Sequence, residues 1–356
     1  MTNSTVMIHR YSGGMYGIIP AADVGALSAA PGPGTMVLEV LGGHLVWNVL
    51  AAQEVPAALI AEADLAQEWV WAVYGEAVAL AVDDLGSDAA GSAEVPALPG
   101  SPAPAVSVRR LAYAHWASRW WPASTLDGIA ALDPVLLDRD IAVLTEECES
   151  LLDGSDFLAP LVPTYIESLP RASDYALAAG DESGTAGTLV LARGTGGWDW
   201  RRCPPGLVDA SESAVSWQLI RHAGATTVAG NVAAHPELPA DIPAHLRPWA
   251  HIDTGRGEFD TELRAADDTW IGESDLATTT SAVRITIHVP GFGPIPDTAD
   301  ALSDTEPTIE SAATLRRRIR EFATSRLRRA ASPAAEDDAF PPLLAEIAAA
   351  NGDSDF

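Results

Sequence analysis

Cys203 is the residue whose immediate neighbours come closest to a catalytic arrangement. It lies in WDWRRCPPG, residues 198–206, directly after Arg201 and Arg202, whose positive charges would stabilise the thiolate that a nucleophile needs. The two prolines after it prevent a helix from starting there, and no histidine or asparagine stands in a recognisable partner pattern. A small cysteine beside apolar neighbours is more often a packing residue. We therefore predict no catalytic residue and keep Cys203 as an alternative.

The same stretch also fits a strand that ends in a packed corner. Alternation along a strand would place Trp198 and Trp200 on one face and Asp199 and Arg201 on the other. The sequence Pro-Pro-Gly would then end the strand. We predict that this stretch is structural.

Three of the eight histidines, His235, His245 and His251, lie in one proline-rich segment, HPELPADIPAHLRPWAH. Their spacing matches no recurrent metal-site geometry, and no HxH, HExxH or CxxC pattern occurs in the chain. We interpret the segment as a polar surface loop and predict neither a metal nor another cofactor. The alternative is an enzyme with a site at a domain junction, which would use Cys203 or these three histidines.

The composition excludes several classes of function. All 21 basic residues are arginine, so Schiff-base, pyridoxal-phosphate and P-loop lysine chemistries are excluded. A formal net charge of −28 repels nucleic acids and anionic lipids. The two cysteines, Cys148 and Cys203, are too few for a disulfide framework or a zinc site. The absence of lysine is explained either by the codon bias of a GC-rich genome or by avoidance of amine chemistry.

The sequence also bears on location. It contains no run of about 18 apolar residues, so we expect no transmembrane helix. The first residues, MTNSTVMIHRYSGG, lack the basic flank and apolar segment of a secretory signal. We expect a cytoplasmic protein that does not bind membranes.

Four aromatic residues, Tyr113, Trp116, Trp120 and Trp121, form a group in VSVRRLAYAHWASRWWPAS. The first three are spaced by three and four residues, which places them on one face of a helix. Such a face either packs against a neighbouring domain or binds a partner, because tryptophan offers a large ring to cations and apolar groups. We take these four residues as candidates for partner binding.

Residues 303–331 predict an amphipathic, arginine-rich helix that opens with a capping box from Ser303 to Glu306. Seven of the 21 arginines fall within Arg316–Arg329. In so acidic a chain we expect them to pair with the protein's own acidic surface or with an acidic partner. The alternative is a nucleic-acid accessory protein, although the helix has no base-reading pattern. Three of these arginines are candidate partner-binding residues: Arg316, Arg317 and Arg320.

Residues 1–86 predict a small β-rich module. The stretch TMVLEVLGGHLVWNVL predicts a hairpin that turns at Gly42–Gly43. The stretch EWVWAVYGEAVALAV predicts a second pair of strands around Gly75, with a short helix before it that begins at Pro56. The alternative is a single helix from Pro56 to Val82.

The middle of the chain changes from a linker to helices. Residues 87–105 are rich in proline and alanine and predict a linker, whereas residues 106–180 predict a helical region. After the aromatic helix, the sequence predicts a second helix that is capped by Asp133 and ends at Gly154. A third, shorter helical piece is expected within 156–178.

Residues 186–297 predict a β-sandwich of the immunoglobulin-like type, without its disulfide. Seven short β runs support it: GTLVLARG, AVSWQLIRH, TTVAGNVAA, PWAHIDT, EFDTELRA, TWIGES and AVRITIHV. Asp267–Asp268 is a predicted hairpin turn between two of these runs. The acidic tail, 332–356, is either a docked helix or a linear motif for a partner.

Two blocks, RWWPASTLDGIAALDP and WDWRRCPPGLVDASESAVSW, resemble uncharacterised proteins of GC-rich bacteria. Some of those proteins are encoded with ATPase-centred conflict or regulatory systems. The resemblance covers the middle half of the chain and brings no catalytic residues with it. It implies an accessory subunit.

The sequence as a whole predicts an α+β, multidomain protein. Its parts are an N-terminal β-rich module, a helical middle, a β-sandwich and a C-terminal arginine-rich helix. The predicted function is that of a non-enzymatic adaptor or assembly subunit, which binds other proteins in a homo- or hetero-oligomer. Sandwiches without a convergent polar cluster usually bind rather than catalyse.

Overall fold

The computed structural model describes most of the chain, in ranges separated by gaps. These ranges are 4–21, 32–51, 53–85, 91–98, 102–149, 188–255, 257–276, 283–293, 309–332 and 340–352, with the single residues 27 and 100. Within them the chain forms six α-helices and three antiparallel β-sheets. The fold is therefore α+β, as the sequence predicts.

The helices and strands follow one another in several alternating groups. The helices are α1 (Ala63–Tyr74), α2 (Glu76–Asp84), α3 (Pro102–Trp120), α4 (Pro134–Glu147), α5 (Ile309–Ala330) and α6 (Leu344–Gly352). The strands are β1 (Ser4–Arg10), β2 (Tyr16–Pro20), β3 (Thr35–Val40), β4 (Gly43–Asn48), β5 (Ala57–Ile60), β6 (Ser92–Ala97), β7 (Thr188–Gly196), β8 (Val215–His222), β9 (Ala225–Ala233), β10 (Trp249–Asp253), β11 (Glu258–Glu262), β12 (Arg264–Ala266), β13 (Thr269–Leu276) and β14 (Arg284–His288).

The first sheet contains the N-terminal strands in the order β3-β4-β5-β2-β1-β6, each antiparallel to its neighbour. The predicted hairpin is confirmed, since β3 pairs with β4 across a turn at Leu41 and Gly42. Gly42 has a φ of 71°, and a side chain at Gly43 would collide with the Leu59 carbonyl oxygen. Both positions therefore require glycine.

The predicted second pair of strands is wrong. Residues 63–84 form α1 and α2, and Gly75, with a φ of 93°, separates the two helices. Pro56 does not begin a helix, because the next residues form β5. The buried residues of α1 include Trp69 and Val73, which repeat at helical rather than strand spacing. The single-helix alternative was closer, but it missed the break at Gly75.

Part of the predicted linker, 87–105, belongs to the first sheet. Strand β6 pairs antiparallel with β1, from Ser4 opposite Ala97 to His9 opposite Ser92. Helix α3 then begins at Pro102. The side chains of β6 are mostly small or polar, so hydrophobic patterning gave no strand signal. Backbone pairing with β1 places it instead.

The second helix of the middle region, α4, begins where the sequence predicts. Asp133 caps α4, because its Oδ1 accepts hydrogen bonds from the backbone N–H groups of Val135 at 2.8 Å and Leu136 at 3.4 Å. The helix ends at Glu147, before the predicted stop at Gly154. The helical piece predicted within 156–178 lies outside the described residues.

All seven predicted β runs of the C-terminal half form strands. Five strands pair in the order β12-β13-β9-β8-β7, and three pair as β11-β10-β14. The run EFDTELRA supplies both β11 and β12. The hairpin turn at Asp267–Asp268 is confirmed, and Asp267 has a φ of 54°. The immunoglobulin-like arrangement stays a prediction.

Helices α5 and α6 are the last two elements of the described chain. The capping box predicted at Ser303 lies outside the described residues, and the described helix begins at Ile309. Helix α5 contacts α6, which also contacts α4. Most of the buried apolar residues in the described ranges form one contiguous cluster, which includes Ile8 in the first sheet, Trp270 in β13 and Ile319 in α5.

Among the helices of the described ranges, none is both long enough and apolar enough to cross a membrane.

Candidate functional site

The first candidate site is a buried carboxylate, Asp209, in the loop that leads into β8. Its Oδ1 accepts hydrogen bonds from the Ser124 hydroxyl at 2.7 Å and from the Ser211 backbone N–H at 2.8 Å. Its Oδ2 accepts one from the Thr125 backbone N–H at 2.8 Å. Its own carbonyl accepts one from the Trp198 indole at 2.7 Å. Three segments of the chain, around residues 124–125, 198 and 209–211, therefore meet at Asp209.

Two further carboxylates connect this centre to α5. The Arg320 guanidinium pairs with Asp127 at 3.0 Å and with Glu212 at 3.1 Å. Arg316 binds Glu212 through two hydrogen bonds, of 2.6 Å and 2.8 Å. The Ser211 hydroxyl donates to Asp127 at 3.2 Å, which links these ion pairs to the buried centre. We call the following set the polar junction: Asp127, Asp209, Glu212, Arg316 and Arg320.

The two arginines of the polar junction determine the charge state of Glu212. Partial burial raises the pKa of Glu212, but the hydrogen bonds and charges of Arg316 and Arg320 outweigh it and bring the pKa below its ordinary value. Glu212 is therefore ionised at neutral pH, as an ion-pair partner must be. An ionised acid that is already bound by two guanidiniums is poorly suited to transfer protons.

The second candidate site joins α5, α6 and α3. Arg326 pairs with Glu346 through two hydrogen bonds, of 2.8 Å and 2.6 Å. Glu346 also accepts a hydrogen bond from the Tyr113 hydroxyl at 2.7 Å. The Arg326 guanidinium lies over the rings of Tyr113 and Phe340, 5.0 Å and 4.9 Å from their centroids. We call Tyr113, Arg326, Phe340 and Glu346 the C-terminal clamp.

The C-terminal clamp also caps helix α6. Glu346 accepts a hydrogen bond from the Leu343 backbone N–H at 2.8 Å, which is the back half of a capping box. Asp140, on α4, accepts one from the Ala345 backbone N–H at 3.2 Å. Of the two possibilities for the tail, a docked helix or a linear motif, residues 344–352 thus form a docked helix.

The aromatic residues predicted to bind a partner fall into two groups. Tyr113 and Trp116 are buried, stack on each other with centroids 5.6 Å apart, and meet Phe322 of α5 edge to face. Trp120 and Trp121 are partly exposed; Arg119 lies over Trp120 at 5.0 Å. Tyr113 and Trp116 therefore pack against other parts of the same chain, among them Phe322 of α5 and Phe340, which is the first of the two possibilities for such a stripe.

The predicted arginines are also divided. Arg316 and Arg320 point into the polar junction and are mostly buried, with 13% and 12% of their side chains exposed. Arg317 has 63% of its side chain exposed and lies 3.9 Å from Glu321. Of the three, Arg317 is the one that faces solvent.

The stretch WDWRRCPPG is a turn rather than the predicted strand. Residues 200–202 form a single turn of 3-10 helix, capped by Asp199, which accepts a hydrogen bond from the Arg201 backbone N–H at 3.0 Å. The same carboxylate pairs with the Arg201 guanidinium at 2.8 Å. A short acidic side chain that forms hydrogen bonds with nearby backbone N–H groups competes with extended structure. This competition explains why the alternation of residue types did not predict the structure of this stretch correctly.

The chain's two cysteines are buried, and neither has the environment of a nucleophile. Burial raises the pKa of the Cys203 thiol to about 12, and the charge of Arg202 lowers it too little to compensate. Burial and the charge of Glu147 raise the pKa of the Cys148 thiol to about 12 as well. A nucleophilic cysteine needs a lowered pKa, so the arginines beside Cys203 do not act as the sequence suggested.

The three histidines of the proline-rich segment lie in different settings. His235 is largely buried, and its Nδ1 accepts a hydrogen bond from the Glu237 backbone N–H at 3.1 Å. His245 lies in a 3-10 turn, and His251 on β10 pairs with Asp260 at 2.9 Å. Within the described ranges, no group of three or more His, Cys, Asp or Glu side chains is arranged to hold a metal ion.

Sequence reasoning missed the residues at the two centres. Asp209 and Glu346 were not singled out, and Arg326 was noted only as part of an arginine-rich helix. A local signal was present for both acids. Asp209 stands two residues before Ser211, the spacing of an Asx turn, and Glu346 stands at the third position of a helix.

Comparisons of the chain with known proteins found no match. No protein-family model matches the chain, and neither a curated protein nor a solved structure is similar to it. The fold and the two sites describe an α+β protein in which buried charged clusters join segments that are distant in sequence.

Proposed function

We propose that this chain is a non-enzymatic adaptor or assembly subunit that binds other proteins in a bacterial cytoplasmic complex. One observation carries the proposal: the charged groups of the two centres are already bound by other groups of the chain. Asp209 and Glu212 are held by segments distant in sequence, and Glu346 neutralises Arg326. Groups bound in this way fix the positions of helices and loops. They are not poised to attack a substrate or to exchange protons with it.

An acidic surface of a partner fits the outer face of α5. Arg317, Arg318 and Arg328 are exposed on this helix. In a chain with a formal net charge of −28, such a group of positive side chains is unusual. Complementary charge favours fast and selective association with an acidic partner. Arg316 and Arg320 belong to the polar junction, so in this proposal they hold α5 in place while Arg317 contacts the partner.

Exposed aromatic and apolar side chains provide a second candidate surface. Trp120 and Trp121 remain partly exposed at the end of α3. Val135 and Val143 are about half exposed on α4, at 53% and 49%. Tryptophan is enriched among the residues that dominate binding energy at protein interfaces. We propose these residues as partner contacts, in place of the buried Tyr113 and Trp116.

The C-terminal strands fit the proposed immunoglobulin-like sandwich, which would supply a rigid binding platform. Every second residue of β9 is buried, namely Thr226, Val228, Gly230 and Val232. One face of the five-stranded sheet is therefore covered. Ala250 and Ile252 are buried in the same alternating way on β10 of the three-stranded sheet. Two sheets with one covered face each are what sandwich packing requires.

The proposal is tested by capturing partners from the native host with the tagged full-length chain. The charge-reversed variant R317E/R318E is compared with R264E/R284E, which reverses two exposed arginines on strands. We expect a stoichiometric partner with the wild type and the control, and its loss at moderate salt with R317E/R318E. Capture of no stoichiometric protein by the wild type would overturn the adaptor function. Equal capture by both variants would overturn the assignment of the α5 surface.

The two alternatives have less support. A catalytic Cys203 requires a reactive thiol, whereas burial raises its pKa to about 12. Nucleic-acid binding through Arg316–Arg329 would draw on arginines of which Arg316, Arg320 and Arg326 already pair with carboxylates of the chain. Nucleic-acid binding that weakens steeply with salt and disappears in R317E/R318E would favour the second alternative over the adaptor function.

A further inference from the structure

Residues 340–352, which we call the docked segment, are held by side chains of the three helices that precede them. We call the following set the docking surface: Arg109 and Tyr113 of α3, Asp140 of α4 and Arg326 of α5. The Tyr113 hydroxyl binds Glu346, which is 233 residues away in sequence. Contacts of this kind depend on the packed helices of the docking surface and not on residues next to the docked segment.

The docked segment is recognised through three anchors at a spacing of three residues, Phe340, Leu343 and Glu346. Two guanidiniums of the docking surface lie over the Phe340 ring, 4.6 Å and 4.9 Å from its centroid. Leu343 and Glu346 have only 1% and 0% of their surface exposed. Glu346 accepts two hydrogen bonds from Arg326, of 2.8 Å and 2.6 Å. Short amphipathic segments bind in the grooves of other proteins through closely spaced anchors of this kind.

The docking surface also binds the backbone of the docked segment. Arg326 donates to the carbonyl oxygens of Phe340 at 3.0 Å and Pro341 at 3.3 Å. Asp140 accepts a hydrogen bond from the Ala345 backbone N–H at 3.2 Å. Helix α6 has 9 residues and is too short to be stable by itself, so its helical form depends on these contacts. The docked segment therefore has the contacts of a peptide that folds on its receptor.

The charges of the two parts are complementary. The docking surface contains two arginines and one aspartate, whereas the docked segment contributes Glu346 and follows three acids in sequence, Glu336, Asp337 and Asp338. The formal net charge of −28 makes two copies of the chain repel each other in general. At the docking surface, a second copy that presents this segment would meet positive charge instead.

We propose that the docking surface is a peptide-binding site that takes the docked segment of a second copy of the chain in place of its own. The contacts described above are the same whichever copy supplies the segment. The difference lies in residues 333–339, which lie outside the described residues and tether the chain's own segment to α5. Exchange of an identical element between copies is a low-cost route to a dimer. This site does not use the exposed arginines of α5, and it does not depend on the adaptor function.

The test mixes two full-length variants and measures the intact mass of the product. F340A/L343A removes two anchors and keeps the docking surface, whereas R326Q disables the docking surface and keeps the docked segment. We expect each variant alone to be a monomer and the mixture to form a heterodimer of one copy each. The control replaces F340A/L343A by L344A, because Leu344 is 44% exposed beside the buried Leu343. L344A keeps its own segment docked, so R326Q should bind it more weakly by roughly tenfold or more.

A labelled peptide of residues 340–352 provides the second measurement. It should bind F340A/L343A saturably, and the same peptide with E346Q should bind more weakly by roughly tenfold or more. If F340A/L343A is unfolded by itself, recovery of its fold on addition of the peptide would support the proposal. Failure to recover would show that residues 340–352 are an inseparable part of the core and would overturn it. A folded F340A/L343A that binds neither R326Q nor the peptide would overturn it as well.

Discussion

Arg326 and Glu346 lie twenty residues apart and meet as a buried two-pronged ion pair between α5 and α6. Burial by itself lowers the pKa of Arg326, but the hydrogen bonds and charge of Glu346 outweigh it and raise the pKa above its ordinary value. Both side chains are almost fully withdrawn from water. A buried pair of this kind costs much of its attraction in desolvation, so it specifies where α6 docks more than it adds stability.

This relationship predicts an asymmetry between single and double substitutions. E346Q leaves the Arg326 charge buried without a counter-charge, and the free energy of unfolding should fall by about 3–5 kcal/mol. The double variant R326M/E346Q removes both charges and should recover at least half of that loss. Chemical denaturation followed by circular dichroism measures all three values.

The exposed pair of Arg317 and Glu321 provides the control. E321Q breaks a contact of 3.9 Å between side chains that are both more than half exposed. Such a pair contributes about 0.5 kcal/mol or less. A double variant as unstable as E346Q would contradict the account, since the loss would then come from shape rather than from an uncompensated charge.

Asp209 should contribute more than other aspartates in turns. D209A removes the acceptor of the Ser124 hydroxyl and of the Thr125 and Ser211 backbone N–H groups inside the protein. Buried donors without acceptors are costly, so we expect a loss of about 2–4 kcal/mol in unfolding free energy. The matched control is D253A, because Asp253 makes the same kind of turn with Gly255 at an exposed position. Similar losses in both variants would show that the Asp209 contacts are not decisive.

The pH dependence of stability should contain a contribution from His235. Burial lowers the pKa of His235 from 6.5 to about 4, and its Nδ1 accepts a hydrogen bond, so the native imidazole is neutral. The unfolded chain takes up a proton as the pH falls below 6.5, whereas the native chain does so only near 4. Stability from this group is therefore complete above the unfolded pKa and is lost as the pH falls towards the folded pKa.

The substitution H235N tests this contribution. Unfolding free energies at about pH 7 and about pH 5 should differ less in H235N than in the wild type. H245Q, which changes a histidine of the neighbouring 3-10 turn, is measured beside it as the control. An unchanged difference in H235N would mean that His235 is protonated alike in the folded and unfolded chains.

The thiols should be unreactive in the native protein. Burial raises the pKa of both Cys148 and Cys203 to about 12, so almost no thiolate is present near neutral pH. Ellman's reagent should label neither cysteine in the folded chain and both after guanidinium unfolding. Rapid labelling of Cys203 in the folded protein, and its loss in C203A, would restore the catalytic alternative.

The features that could be predicted from sequence are those that a few neighbouring residues determine. The hairpin of β3 and β4, the Asp133 cap and the C-terminal strands depend on local spacing and were identified. Strand β6 was missed because its position depends on pairing with β1, which lies more than eighty residues earlier in the chain.

The candidate sites were harder to predict because their partners are distant in sequence. The Tyr113 hydroxyl and Glu346 are separated by 233 residues, and Ser124 and Asp209 by 85. The composition did indicate that the arginines of α5 would pair either with the protein's own acids or with an acidic partner, and Arg316 and Arg320 pair with acids of the chain. It gave no means of deciding which arginines would remain exposed.

The proposed assembly of the chain with other proteins is tested most directly by the intact mass of the complex purified from the native host at moderate salt. An assembly subunit should give a defined mass that corresponds to this chain with a fixed number of partner subunits. A monomer mass with no co-purifying protein would contradict it.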